Sequence, residues 1–78
     1  MVHLSVCSEE AIKVTQRYLG PAARMFLERQ TRSHIGGLDL NNLEKAHLPE
    51  LAKWVETSAG LLIDKTKAKE LAEHLAKI

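Results

Sequence analysis

Tyr18-Leu19-Gly20-Pro21-Ala22-Ala23 is the stretch on which the reading of this chain turns. Glycine is suited to ending a helix, and proline to opening the next one, where its missing N–H leaves no bond unmade. A proline also pushes the residue before it out of the helical region. The six residues therefore predict a corner between two helices. Before the corner, Ala11, Ile12, Val14, Tyr18 and Leu19 form an apolar stripe at helical spacing. After it, Ala22, Ala23, Met25, Phe26, Leu27 and Ile35 continue a second helix to about His34, which Gly36-Gly37 closes.

Working outward, Asp39 is suited to cap a short third helix carrying Leu40, Leu43, Ala46 and Leu48. Pro49 opens a fourth, with Leu48, Leu51, Ala52, Val55, Ala59 and Leu62 on one face and Trp54 at its edge. Asp64 caps a last helix whose inner face is Ala68, Leu71, Ala72, Leu75 and Ile78. Toward the N-terminus, Ser8 reads as the cap of the first helix, with Glu9 and Glu10 favoured by its dipole. Val2, Leu4 and Val6 alternate with polar residues, so residues 1–7 read as a short extended arm packing on a helix. The expected fold is all-α: a compact bundle of four main helices plus one short helix, with residues 8–78 forming a single helical domain.

Composition narrows the function. Eleven Lys and Arg against ten Asp and Glu leave a formal charge of +1, which generates no field to steer the chain onto nucleic acid or anionic lipid. At 78 residues there is one core, small enough that very regular packing or self-association has to support it. A homodimer is the expected form. No segment approaches the roughly 18 consecutive apolar residues of a membrane span. Met1–Cys7 lacks the basic start and apolar run of a secretory signal, and the lone Cys7 fits a reducing compartment. The expected location is cytoplasmic.

Catalytic chemistry finds no foothold. His3, His34, His47 and His74 never pair at helical spacing, and none stands near Cys7 in a ligand-like motif, so no metal site is expected. Cys7 has no glycine elbow or oxyanion-hole sequence beside it and reads as a small structural thiol. Gly36-Gly37 lacks the spacing and the Lys-Ser/Thr of a phosphate loop. No cofactor is expected, and the chain is not expected to be an enzyme.

Two surfaces stand out instead. Leu61-Leu62-Ile63 is a consecutive apolar run that a helix cannot bury whole. It is either a buried connector or, with Phe26 and Trp54, a set of protein-contact residues. Arg24, Arg29 and Arg32 form a polar face, and Arg24, Glu28 and Arg32 are spaced for mutual salt bridges. Using that face, a small nucleic-acid-binding regulator is the alternative function. Against it, the segment after Gly36-Gly37 is apolar and slightly acidic, a poor recognition helix. A thiol-dependent role for Cys7 is a third reading.

Tyr18-Leu19-Gly20-Pro21-Ala22-Ala23, with Phe26, Leu27 and Arg29 after it, resembles the opening Y-[IL]-G-P-x-A signature of a small helical domain appended to bacterial serine/threonine kinases and other signalling proteins. The Ile63-Asp64 turn and the apolar last helix are similar too, so the resemblance covers about residues 11–78. The domain is expected to stand alone, without an attached kinase or receiver. The resemblance implies an accessory helical module in prokaryotic signalling or regulation, acting through protein contacts or self-association, and it carries over no catalytic residue.

Overall fold

The computed structural model describes residues 5–78, and among these every regular element is helical. Four α-helices carry the core: α1 Val6–Leu19, α2 Ala23–His34, α3 Leu48–Ala59 and α4 Lys65–Ala76. Single 3-10 turns occupy Gly20–Ala22, Leu40–Asn42 and Lys45–His47.

The N-terminal boundary differs from the sequence expectation. Val6 and Cys7 are the first residues of α1 and not the end of an arm; the rest of the expected arm, residues 1–4, lies outside the described residues. Ser5 is the N-cap, its Oγ accepting the Ser8 N–H at 3.0 Å. Ser8 is instead fully buried, and its hydroxyl donates to the Leu40 carbonyl. Ser5 reaches the same segment, its Oγ donating to the Leu43 carbonyl at 2.7 Å and its N–H to Asn41 at 3.3 Å. Two serines one helical turn apart thus pin residues 40–43 to the start of α1. Period-2 alternation over so few residues could not reveal this, because the partner carbonyls are 32 and 38 residues away in the chain.

The Gly20-Pro21 corner is a break between two helices. Gly20 takes φ 61° and ψ −139° as the C-cap of α1, a conformation that glycine adopts freely because it lacks a Cβ. Pro21 stands in the first turn of the 3-10 segment that leads into α2. At the other end, Gly36 and Gly37 both have positive φ, 59° and 74°, and turn the chain away from α2.

No third α-helix forms at Asp39. Its carboxylate accepts the Asn41 N–H at 2.9 Å and starts a 3-10 turn, but Leu43 is extended and a second 3-10 turn follows. The Leu40 carbonyl accepts both the Ser8 hydroxyl and the Leu43 N–H that closes the turn, whereas the Leu43 carbonyl is taken by Ser5 and Leu43 itself is extended, so the turn goes no further. Leu40 and Leu43 are buried, whereas Ala46, expected on the inner face, is exposed.

One core joins all four helices: Ala11 of α1, Phe26 and Leu27 of α2, Leu51, Val55 and Ala59 of α3, and Ala68, Leu71 and Leu75 of α4, closed by Leu40, Leu43 and Leu48. The neighbours in space are α1 with α2, α2 with α3, α3 with α4, and α4 with α1.

Candidate functional site

The junction of α2 and α3 is where most of the sequence-predicted contact residues come together. Phe26, Gln30 and His34 recur every four residues along one flank of α2, and Trp54, Ser58 and Leu62 do the same from α3 into the turn after it. The two helices run antiparallel, so the rows pair in reverse order. His34 stacks on Trp54 with ring centroids 3.9 Å apart and planes 6° from parallel. The Ser58 hydroxyl donates to Gln30 Oε1 at 2.9 Å. Phe26 and Leu62 line one open groove of about 180 Å³, together with Ala22, Met25 and Arg29.

Burial sorts the members of this seam. Phe26 is only 9 % exposed and belongs to the core, so it offers a partner no more than an edge. Trp54 is half-buried under His34. Leu61 and Leu62 are 86 % and 67 % exposed, whereas Ile63 is half-buried against the core. The 61–63 run is therefore neither a buried connector nor a uniform patch. It is a turn that throws two leucines outward and tucks one isoleucine in. Leu62 faces the α2 groove; Leu61 lines a separate hollow with Glu56, Thr57, Gly60 and Lys65, and Ile63 lies beside Arg17, Tyr18 and Lys67.

Met25 is an exposed apolar residue of this seam that the sequence did not single out as a contact candidate. It is 64 % exposed and sits beside Leu62 in the groove. The signal was available in the helical wheel: Ala23, Phe26, Leu27, Gln30 and Thr31 take the inner face, and Met25 falls outside it, in line with Arg29 and Arg32.

The arginines divide similarly. Arg24 Nε lies 3.2 Å from Glu28 Oε1, one of two ion pairs among the described residues, the other being the 4.0 Å contact of Lys13 with Glu10. Arg32 does not complete the expected run of bridges. Arg29 and Arg32 are exposed, and Arg29 forms the rim of the apolar groove.

The described histidines are spread over three places. His34 is in the stack, His47 Nδ1 accepts the Glu44 N–H at 3.0 Å, and His74 lies 6.4 Å from the Tyr18 ring. His3 is outside the described residues. Among the described residues no three His, Cys, Asp or Glu side chains are grouped to hold a metal ion, and no helix is long and apolar enough to cross a membrane. Cys7 is half-buried and packs against the core.

No protein-family model, no curated protein and no solved structure matches the chain.

Proposed function

We propose that this chain is a non-enzymatic helical interaction and self-association module, working in the cytoplasm in prokaryotic signalling or regulation. The observation that carries the reading is the pairing of Met25 and Leu62, two large apolar side chains about two-thirds exposed in one groove with Arg29 at its rim. Isolated exposed apolar residues are ordinary, but adjoining ones from two elements, beside a charge, have the make-up of a contact site. Phe26, a core residue, lines the same groove from its inner side. The signalling setting rests on the resemblance carried by residues 18–29. A second copy of the chain, as in the expected homodimer, is one occupant of the groove.

Arg29 and Arg32, exposed and without an ion pair among the described residues, favour a nucleic-acid contact as the second reading. One experiment separates the two. A photo-crosslinking residue placed in living cells at position 62 is expected to yield protein adducts that are absent when it is placed at exposed Gln16 on α1. Adducts to nucleic acid would support the alternative. No adducts at position 62 above the Gln16 control would overturn the interaction reading.

A further inference from the structure

The chain carries a second surface feature that complements the first. Between α3 and α4 runs an open groove of about 490 Å³, floored by Ala52, Ala72 and Ala76 and edged by Glu56 and Glu73 with Lys53. The α2 edge is its opposite: Met25 and Leu62 project from it, and Arg29 and Arg32 follow Met25 at i+4 and i+7, with no carboxylate among the groove's lining residues. The dimensions agree as well. Met25 to Arg32 spans about 10 Å of helix, and the α3 wall from Pro49 to Thr57 about 12 Å.

The two features lie on opposite flanks of α3. Trp54 and Ser58 face α2, whereas Ala52 and Glu56 face the α4 side. A chain cannot bring its own edge to its own groove, yet it can engage a neighbour on each side.

We propose that the Met25–Leu62 edge of one copy docks into the α3/α4 groove of a second copy, head to tail, with Arg29 and Arg32 meeting Glu56 and Glu73. The proposal rests on the interaction-module reading and names the occupant. Charge decides against a two-fold contact through the edge alone. Such a contact would bring the two copies' Arg29 side chains together with no lining carboxylate between them. A head-to-tail contact instead pairs opposite charges and leaves one free edge and one free groove, so the assembly grows past a dimer.

Sedimentation velocity on the purified chain, from about 10 μM to about 1 mM, reads this directly. The expected result is concentration-dependent growth beyond dimer that weakens as salt rises. Arg29→Glu alone and Glu73→Arg alone should each weaken association about tenfold or more. Mixing the two variants should restore growth beyond dimer as an alternating assembly, because the edge of each variant meets the groove of the other with opposite charges, whereas each variant alone pairs like charges. Both positions are exposed, and unchanged circular dichroism verifies that the variants fold. A monomer at every concentration, a dimer indifferent to Glu73→Arg, or a mixture that fails to associate overturns the proposal. Protein adducts at position 62 that contain only another protein would overturn it too, while leaving the broader interaction reading in place.

Discussion

Ser8 and Thr15 are both fully buried hydroxyl residues on α1, and they have opposite consequences. Ser8 donates to the Leu40 carbonyl and so joins two parts of the chain, whereas the Thr15 hydroxyl has no hydrogen-bond partner. A satisfied buried hydroxyl costs little, but an unsatisfied one, or a carbonyl left behind without its donor, retains its desolvation penalty. Ser8→Ala is therefore expected to lower stability by about 1–3 kcal/mol and Thr15→Val to raise it by about 1 kcal/mol. Urea unfolding of the two variants beside the parent chain checks both signs. Stabilisation by Ser8→Ala would show that the bridge to Leu40 contributes nothing. At this scale the sequence was informative about residue type alone. It shows a serine near a helix start, which is equally a cap or a tether, and the choice depends on a carbonyl 32 residues away.

Among the elements, the corner between α1 and α2 is the one most clearly written in the sequence. A Cβ built on Gly20 meets nothing within 4 Å, so its constraint is entirely one of backbone conformation. At φ 61° and ψ −139° any residue with a Cβ is strained, and Gly20→Ala is expected to cost about 1–3 kcal/mol. The same substitution in a mere helix kink would be neutral or favourable, so a melting temperature at or above the parent's would exclude the observed cap. The expected third helix failed for a complementary reason. Asp39 begins a turn as its cap propensity predicts, and Leu40 closes it, but Leu43 is extended with its carbonyl bound by Ser5 of the α1 cap, and the helix stops there. Local propensity started the element, and contacts distant in sequence stopped it.

Over the whole molecule, α4 is indispensable although its sequence is unremarkable in chemistry. Ala68, Leu71 and Leu75 are buried, and the helix packs on both α3 and α1, so it closes the ring of four helices. A domain of 78 residues has about 4–12 kcal/mol of total stability, and Leu71→Ala should remove about 2–5 of it. The expected result is a sharp fall in the urea midpoint seen identically by Trp54 fluorescence and by circular dichroism, because one core unfolds as one unit. A change confined to the helical signal would mean that α4 comes away on its own.

What this sequence determined by itself is the periodic part: the helical character of the described residues, the break at Gly20-Pro21, the end of α2 at Gly36-Gly37, and the apolar faces of α3 as far as Ala59 and of α4. Those features depend on neighbours three or four residues away, which is the range over which helix geometry acts. Tertiary structure decided the rest. It placed Phe26 in the core and Met25 outside it, paired His34 with Trp54 and Gln30 with Ser58, and split Leu61-Leu62-Ile63 between solvent and interior. Each of those outcomes depends on which flank of one helix meets which flank of another. That is settled by how four apolar faces close around a single core, and no single segment contains the information.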